Sequence, residues 1–367
     1  SSSSSSEESL SVSSPSSSFG DDVDGDDKVT TTSWTGSTNT NSCESKSLKH
    51  VLNVVDDDDH HHNFNRVPWI VGHRGCLYDE LENTRSGFER CAQMGCDAVE
   101  LDVFLLKCNT LVVFHGGGSD ENPGDLWDYC RVRGSILDYT YEEAIGQLTF
   151  NPNYDEFPCP KDSIVRGSIP TLDDVLQDAK KSGLHVKIEL KGPDVVEPVL
   201  ELVDSHDMID QLSFSSFDLD RLALLRKLRP DRTVYKTGAL FNDVPDDFIE
   251  KALAVDANEI HLRYDTITVE NIQRIHHNGM GSMAWLRGPI GMRSDCSEKY
   301  WDVGNEDDSM YETMLRTGVQ QMCVNRPDVL IDLRRRLLVT GQQSNDNDTP
   351  TTTKTVLLEN DVFPMAQ

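Results

Sequence analysis

The sequence predicts an α/β protein with the architecture of a (β/α)8 barrel, flanked by two polar tails. Short apolar runs alternate with longer amphipathic segments about eight times over roughly 270 residues, which is the number of repeats that such a barrel needs. Four of the amphipathic segments end at or just before a glycine, as helices do when the chain returns to a strand: Gly95, Gly183, Gly279 and Gly318. A doubly wound open sheet is the alternative fold, but no GxGxxG or GxxxxGK loop is present.

The apolar runs predict strands, and the amphipathic segments between them predict helices. In chain order, the predicted strands are "WIVG", "DAVELDV", "LVVFH", "HVKIEL", "QLSFSS", "TVYKTG", "NEIHL", "SMAWL" and "VQQMCV". The predicted helical segments begin at Thr84, Thr171, Asp194, Asp218, Pro245, Thr268 and Asp308. Together these elements predict one barrel domain over residues 67–339.

The two ends of the chain differ in composition from the barrel. Residues 1–66 open with "SSSSSSEESLSVSSPSSS", and residues 340–367 include "GQQSNDNDTPTTT". Neither end can bury enough apolar surface to offset the entropy lost on ordering, so both are predicted to be disordered. The run "DDDDHHHN" at residues 56–63 is similar to a metal-binding tract, but within a disordered segment we interpret it as a solvated charge run.

The 367 residues carry a formal net charge of −29. A nucleic-acid partner is not expected, because binding of phosphates needs clustered Lys and Arg, which the sequence lacks. No apolar run is long enough for a transmembrane helix. An anionic substrate of so acidic a chain has to meet a local positive site, which calls for a metal ion or a few well-placed cations.

The nine cysteines show no CxxC pair and no zinc-ribbon spacing. They are predicted to be mostly reduced or core thiols, with a disulfide in the region 108–159 as the alternative. The cytoplasm is the favoured compartment; because the chain starts at Ser rather than Met, a missing N-terminal targeting segment is the alternative. The oligomeric state is left open.

Ionisable side chains collect at the ends of the predicted strands, where the catalytic residues of a barrel lie. Glu100 and Asp102 are two positions apart, so strand alternation points both carboxylates to the same side. The other strand-end groups are His73 and Arg74 after the first strand, His115 at the end of "LVVFH", and Glu189 and Lys191, again two positions apart.

Three carboxylates converging from two strands predict a site for one hard divalent cation, Mg²⁺ or Ca²⁺ rather than zinc. Burying Glu100, Asp102 and Glu189 without a partner would be costly. Each feature also has a plainer interpretation, since a strand-end histidine is often structural and an ExD pair is often a solvated edge. The combination is more specific than any one feature.

These residues belong to a longer series of motifs. In order, the chain contains "VGHRG", "LENT", "AVELDV", "LVVFH", "IPTLDDVL", "KIELKG", "SFSSFDLDRLALLRKLRP" and "VNRPDVL". The series resembles the glycerophosphodiester phosphodiesterase family over residues 67–338. The resemblance implies a TIM barrel that uses a divalent cation to hydrolyse small glycerophosphodiesters to glycerol 3-phosphate and an alcohol.

The resemblance also implies roles for the strand-end groups. His73 and His115 match the family's acid/base histidines, and Glu100, Asp102 and Glu189 match its metal ligands. This assignment fits the chemistry, because the nucleophile must lose a proton and the leaving alkoxide must gain one. Which histidine is the acid stays open, as does the choice between direct attack by water and attack by a substrate hydroxyl through a cyclic phosphate.

Five further positions carry implied substrate contacts. Arg74 and Lys191 match residues close to the phosphate, Glu82 and Asn83 match an element that borders the site, and Trp285 matches an aromatic wall of the pocket. Three carboxylates and a divalent cation sum to about −1, and the two cations bring the site to about +1, which suits an anionic transition state. An acidic protein thereby acquires a locally cationic pocket.

Two positions depart from the family pattern. Gly116 stands where Asp usually follows the second histidine, which is expected to change the orientation or the pKa of His115. Asn325 stands where Asp is common, near the last strand end. Residues 116–168 form an insertion that we expect to cover the mouth of the site and to set substrate choice; a packing elaboration is the alternative.

Two other functions are compatible with parts of the pattern. A phospholipase D-type or sphingomyelinase D-like lipid phosphodiesterase on the same barrel shares the early histidine, the ExD pair and the second histidine followed by glycine. That group generally lacks the ENT element and carries Asp where Glu189 stands. A catalytically silent binding module would have lost a catalytic histidine or a metal ligand, and this sequence retains them all.

Overall fold

The computed structural model describes residues 67–117, 123–150, 168–287 and 306–345. The predicted disordered segment 1–66, with its "DDDDHHHN" run, lies outside the described residues, and so do residues 346–367 of the predicted C-terminal tail. The last helix ends at Asn345, beyond the predicted end of the barrel at residue 339.

Eight parallel strands form a closed barrel in the described part of the chain. They are β1 (Trp69–His73), β2 (Ala98–Leu105), β4 (His185–Leu190), β5 (Leu212–Ser216), β6 (Thr237–Phe241), β7 (Glu259–Arg263), β8 (Gly281–Trp285) and β9 (Gln321–Val324). Each pairs in parallel with the next, and β1 pairs with both β9 and β2, which closes the cylinder. The predicted (β/α)8 barrel is confirmed.

Seven of the ten α-helices in the described residues lie where the amphipathic segments predict them, and the three that begin at Trp127, Tyr141 and Pro327 correspond to no predicted segment. The ten are α1 (Arg85–Met94), α2 (Trp127–Cys130), α3 (Tyr141–Gln147), α4 (Leu172–Ser182), α5 (Val196–His206), α6 (Leu219–Leu228), α7 (Phe248–Ala254), α8 (Val269–His277), α9 (Asp308–Leu315) and α10 (Pro327–Asn345). The Thr84 side chain caps the start of α1 by accepting from the backbone N–H of Gly87, and Gly95 ends the helix at φ 89°. No helix of the described residues is long and apolar enough to cross a membrane.

The predicted strand "LVVFH" is not a barrel strand. Leu111–Val113 form a short strand, β3, which pairs antiparallel with β2. The reason is the length of the connection, because only residues 106–110 separate the two strands and a parallel crossover needs about a dozen residues or more. His115 therefore reaches the barrel mouth from the return of a hairpin.

The predicted strand "TVYKTG" begins four positions too early, because β6 starts at Thr237. The backbone N–H and the hydroxyl of Thr233 both donate to Asp231 Oδ1, and the N–H of Tyr235 donates to the Asp231 carbonyl. These bonds form a turn that occupies the start of the predicted strand. All five residues of Thr237–Phe241 are buried, as barrel strands require.

The main core lies between the strands and the surrounding helices. Ile70, Leu101, Ile188 and Ile260 are fully buried within it. Burial of each such side chain contributes about 1.5–3 kcal/mol to folding. The six cysteines in the described part of the chain are free thiols, as predicted; Cys159 lies outside it, so the alternative disulfide is not tested.

The insertion contributes a second, smaller core. Residues 123–150 carry α2, α3 and a 3-10 turn, and their side chains Leu126, Tyr129 and Ile136 pack with Phe104 and Phe114 of the barrel segment. Residues 118–122 and 151–167 of the insertion lie outside the described residues. The described part is therefore packed on the chain that leads to His115.

A buried polar cluster fills the barrel interior nearer the N-terminal ends of the strands. Glu259 Oε2 lies 3.1 Å from Lys187 Nζ and 2.8 Å from His261 Nε2, and Gln321 Nε2 donates to Glu259 Oε1 at 2.8 Å. Only glycine fits at residue 238, because a Cβ there would lie 2.2 Å from the His261 ring. This part of the barrel interior is thus filled by packed, hydrogen-bonded side chains.

Candidate active site

A cavity of about 210 Å³ opens where the C-terminal ends of the strands meet. Seven of the ten predicted site residues line it: His73, Arg74, Glu100, His115, Glu189, Lys191 and Trp285. The other three, Glu82, Asn83 and Asp102, do not line the cavity but contact residues that form it, Asn83 through its backbone N–H to the Arg74 carbonyl. The predicted set therefore converges at one barrel mouth.

The strand register brings the three carboxylates together. Asp102 lies opposite Glu189 across the β2–β4 pair, and Glu100 lies opposite His73 across the β1–β2 pair. One oxygen atom from each carboxylate lies within 4.8 Å of the others. This donor set, made only of carboxylate oxygens, fits a hard divalent cation.

Without a cation, repulsion among the three carboxylates and their burial alter their pKa values. Burial, reinforced by the charges of Asp102 and Glu189, raises the pKa of Glu100 well above its usual value. Burial also raises the pKa of Glu189 to about 7, against the opposing charge of Lys191. A cation bound among them would relieve this repulsion, which is the electrostatic mark of a metal site.

Asp102 stays ionised because it has several partners. Burial would raise the pKa of Asp102, but the charges of Lys191 and Arg74 and a hydrogen bond from Asn83 lower it below its usual value. Lys191 Nζ lies 3.3 Å from Asp102 Oδ1, Arg74 Nε lies 3.5 Å from Oδ2, and Asn83 Nδ2 donates to Oδ2 at 3.0 Å. Asp102 therefore belongs to the carboxylate cluster and also contacts both cationic side chains of the site, Arg74 and Lys191.

The turn that follows β1 explains the order His, Arg, Gly. Arg74 and Gly75 both adopt positive φ, at 54° and 100°, and a Cβ on Gly75 would lie 3.1 Å from the Gly87 backbone. This turn aims the backbone N–H of Arg74 at Glu100 Oε2, at 3.1 Å, and its guanidinium at Glu82 Oε1, also at 3.1 Å. One short turn thus presents a proton-transfer group and a fixed cation to the same cavity.

Glu82 and Asn83 hold site residues and do not face the cavity. Both are buried, and neither belongs to the cavity lining. Glu82 pairs with the Arg74 guanidinium and accepts a hydrogen bond from the Tyr129 hydroxyl of the insertion. In the structure Glu82 and Asn83 support Arg74 and Asp102, and a contact of either residue with the substrate stays a prediction.

The two histidines differ in their partners. His73 Nδ1 lies 2.8 Å from Asn325 Oδ1, and His73 Nε2 lies 3.9 Å from Glu100 Oε2. The Nδ1 atom of His115 is buried without a hydrogen-bond partner among the described residues, and Gly116 supplies no carboxylate beside it. Burial, with the charge of Arg74, lowers the pKa of His73 to about 3 and that of His115 well below its usual value.

The family model described as "Glycerophosphoryl diester phosphodiesterase family" matches residues 73–329. The chain belongs to this family. The matched span runs from His73 to the start of the last helix, so it contains every residue that lines the cavity. The protein is accordingly a phosphoric diester hydrolase.

Individual relatives agree with the family assignment. A glycerophosphodiester phosphodiesterase of Caldanaerobacter subterraneus subsp. tengcongensis is 26% identical over 272 residues, which are 73% of this chain and 98% of the relative. One of Bacillus altitudinis is 30% identical over 216 residues, 56% of this chain and 81% of the relative. The structure of an Oleispira antarctica phosphodiesterase in complex with the product sn-glycerol-3-phosphate shares the fold, with a TM-score of 0.59, 20% identity, and coverage of 73% of this chain and 97% of that one.

This member of the phosphodiesterase family also has a cavity wall that the sequence reasoning missed. Its residues are Ser215, Phe217, Leu240, Asn242, Met283, Arg287 and Cys323. The Phe217 ring packs edge-on against Trp285, with 5.4 Å between centroids, and Phe217 is 39% exposed. Each of these residues lies near or just beyond the C-terminal end of a strand, and this position alone could have flagged them.

Tyr129 and Glu306 gave no sequence signal. Tyr129 lies in the insertion, and Glu306 lies in a polar segment between β8 and α9, yet both are buried and hydrogen-bonded to groups that support the site. Their contacts depend on how separate loops pack, which no local pattern encodes.

Proposed function

We propose that the protein hydrolyses glycerophosphodiesters to glycerol 3-phosphate and an alcohol, as a divalent-cation-dependent enzyme of lipid metabolism. The observation that carries the proposal is the convergence of two carboxylates, two histidines and two cationic side chains on one cavity, with a third carboxylate, Asp102, clustered with the other two. The names of the relatives, and the glycerol 3-phosphate in the Oleispira complex, support the same substrate class.

Glu100, Asp102 and Glu189 would hold the cation, Mg²⁺ or Ca²⁺. When bound, the cation supplies positive charge next to the phosphate oxygens, where negative charge grows in the transition state. Arg74 and Lys191 supply the fixed positive charge on the protein side. Together they form a local cationic site on a chain whose net charge is −29.

His73 and His115 would handle the protons. Hydrolysis forms a bond from the attacking oxygen to phosphorus and breaks the bond from phosphorus to the leaving oxygen. One histidine takes the proton that the nucleophile loses, and the other gives a proton to the leaving alkoxide. The nucleophile is either water or a hydroxyl of the substrate, and the second case passes through a cyclic phosphate.

The alcohol part of the substrate would lie against the aromatic wall. Phe217 and Trp285 present ring surface to the cavity, and Trp285 Nε1 is a buried donor without a partner in the described part of the chain. A hydroxyl-bearing head group can pack its apolar edge against these rings, and its oxygen can accept a hydrogen bond from Trp285 Nε1.

The test is release of glycerol 3-phosphate from glycerophosphocholine, glycerophosphoethanolamine and glycerophosphoinositol, with Mg²⁺, with Ca²⁺ and with a chelator. We expect turnover that needs the cation and that falls by on the order of 10²-fold or more in His73→Ala and in His115→Ala. His277→Ala, an exposed histidine on α8, is the matched control and should retain wild-type turnover. Phosphorus NMR during turnover detects a cyclic phosphate if one forms.

The same assay, extended to lysophosphatidylcholine and sphingomyelin as substrates, separates the two alternatives. A phospholipase D-type or sphingomyelinase D-like enzyme would turn over lysophosphatidylcholine or sphingomyelin and leave the three glycerophosphodiesters intact. A silent binding module would turn over neither group of substrates, although folded and supplied with the cation. Either result would overturn the proposal.

A further inference from the structure

A chain of buried hydrogen bonds runs from His73 away from the cavity. His73 Nδ1 lies 2.8 Å from Asn325 Oδ1. Asn325 Nδ2 in turn donates to the backbone carbonyl of Arg287 at 2.8 Å and to Glu306 Oε1 at 2.6 Å. His73, Asn325 and Glu306 are 6%, 0% and 4% exposed, so water does not compete for these bonds.

The Arg287 carbonyl decides which way the Asn325 amide points. A backbone carbonyl accepts hydrogen bonds and never donates them, so the amide atom beside it has to be the nitrogen. The amide oxygen therefore faces His73. Because that oxygen is an acceptor only, His73 Nδ1 has to carry the hydrogen.

Glu306 holds the amide in this orientation. Its Oε2 atom accepts from the backbone N–H groups of Asn325 and Arg326, at 2.9 and 3.1 Å, and from the Tyr311 hydroxyl at 2.5 Å, while its Oε1 atom takes the Asn325 amide. Four donors thus fix one buried carboxylate. An Asp at residue 325 would place an acceptor oxygen, instead of the donor nitrogen, next to Glu306 and the Arg287 carbonyl, and both hydrogen bonds would be lost. The Asn325 amide is therefore the complement that the Glu306 carboxylate needs.

We propose that Asn325 and Glu306 are positioning residues that hold neutral His73 as the Nδ1–H tautomer, so that its Nε2 lone pair faces the cavity and His73 is the general base. A neutral imidazole carries one N–H, so hydrogen at Nδ1 leaves Nε2 as the acceptor. The proposal rests on the proposed function, because the base needs a reaction to serve. Neither Asn325 nor Glu306 lines the cavity, and both act through His73.

With His73 as the base and His115 as the acid, each proton transfer of the reaction has a donor and an acceptor. As the nucleophile oxygen bonds to phosphorus, its proton moves to His73 Nε2, while the other ring hydrogen stays on Nδ1 and is donated to Asn325 Oδ1. As the bond from phosphorus to the leaving oxygen breaks, His115 gives its proton to that oxygen. The anionic phosphate of the bound substrate favours the imidazolium form of His115, which burial and the charge of Arg74 otherwise disfavour. Release of the His73 proton to solvent and uptake of one by His115 restore the starting state.

The tautomer can be read directly from long-range ¹H–¹⁵N spectra of the 367-residue chain labelled with ¹⁵N-histidine, near neutral pH and without added metal. His73→Ala identifies the His73 signals. We expect a protonated-type shift for His73 Nδ1 and an unprotonated-type shift for Nε2. His261 is the internal reference of opposite type, because its Nε2 lies 2.8 Å from Glu259 Oε2, an acceptor, and should carry the hydrogen.

Variants connect the tautomer to catalysis. Asn325→Leu removes the acceptor, so we expect the Nδ1–H preference to disappear and kcat to fall by on the order of 10²-fold or more, with little change in KM. Glu306→Gln should also reduce the Nδ1–H preference and kcat. Asn278→Leu, on an exposed residue after α8, is the control for the chemical change and should alter neither readout.

The outcomes are distinct. An Nε2–H tautomer in the wild type overturns the proposal, even if Asn325→Leu does not fold. An unchanged tautomer with unchanged kcat in folded Asn325→Leu overturns it as well. If the wild type shows the expected tautomer but no glycerophosphodiester turnover, the proposed function fails and the hydrogen-bond assignment stands.

Discussion

A side chain at residue 116 would collide with Gly124, because a Cβ on Gly116 would lie 2.6 Å from the Gly124 Cα. The two segments are held together by paired backbone bonds between Gly117 and Asp125, at 2.8 and 3.1 Å. The family pattern that the sequence resembles implies an Asp at this position, after the second histidine. The insertion therefore occupies the space of that side chain, which is why glycine stands here and His115 Nδ1 has no carboxylate partner.

We expect Gly116→Asp to destabilise the protein and not to increase its activity. The Cβ contact with backbone and the positive φ of 63° should lower the free energy of unfolding by about 1–3 kcal/mol. Urea denaturation measures this change. The control is Gly146→Ala in helix α3 of the same insertion, where a Cβ meets nothing within 4 Å and should raise stability by about 0.5–1 kcal/mol. Equal effects of the two substitutions would contradict this account.

The sequence could predict what depends on local periodicity and on strand ends. Glu100 and Asp102 share one face because they are two apart on β2, and the parallel register then aligns Asp102 with Glu189. It could not predict the partner of His73, because Asn325 is 252 positions away and its orientation depends on Glu306. It also could not predict that "LVVFH" folds back on β2, since an apolar run looks the same in either direction.

The pKa of Glu189 predicts how stability depends on pH in the metal-free protein. Burial raises this pKa from 4.5 to about 7, so between these values the folded state binds a proton that the unfolded state has released. The free energy of unfolding therefore falls as the pH rises through this window. Over the same pH range, the free energy of unfolding of Glu189→Gln should fall by about 3 kcal/mol less than that of the wild type.

Urea denaturation in the presence of chelator, at a series of pH values, gives both curves. Glu201→Gln on α5 is the matched control, because Glu201 is exposed and the substitution should leave the wild-type slope unchanged. Parallel curves for the wild type and Glu189→Gln would show that Glu189 is ionised without a cation.

Cation binding should stabilise the protein more at high pH than at low pH. The carboxylates have to release their protons before they bind the cation, and the pKa values of both Glu100 and Glu189 are raised. We expect Mg²⁺ or Ca²⁺ to raise Tm more at pH 8 than at pH 5.5, and Asp102→Asn to abolish most of the increase. Thermal denaturation with and without the cation measures it; a pH-independent shift in Tm would argue against binding at these carboxylates.

Tyr129 should connect the insertion to Arg74. Its hydroxyl donates to buried Glu82, which pairs with the Arg74 guanidinium at 3.1 Å. Tyr129→Phe removes a hydrogen bond to a charged group, so we expect a loss of about 1.5–3 kcal/mol in unfolding free energy and a lower kcat/KM. Tyr141→Phe is the control in the same insertion, because that hydroxyl donates only to the Ile169 carbonyl at 3.3 Å. If the two variants behave alike, the insertion does not act through Glu82.

Phe217 should contribute to substrate binding more than to the chemical step. It is part of the cavity wall, packs edge-on against Trp285 and is 39% exposed. Because an aromatic contact contributes about 0.5–1.5 kcal/mol beyond its buried area, Phe217→Ala should raise KM about 2- to 10-fold and leave kcat nearly unchanged. Steady-state kinetics on each glycerophosphodiester measures the split, with Leu253→Ala, an exposed residue on α7, as the control. A fall in kcat at constant KM would place Phe217 at the reacting phosphate rather than along the alcohol.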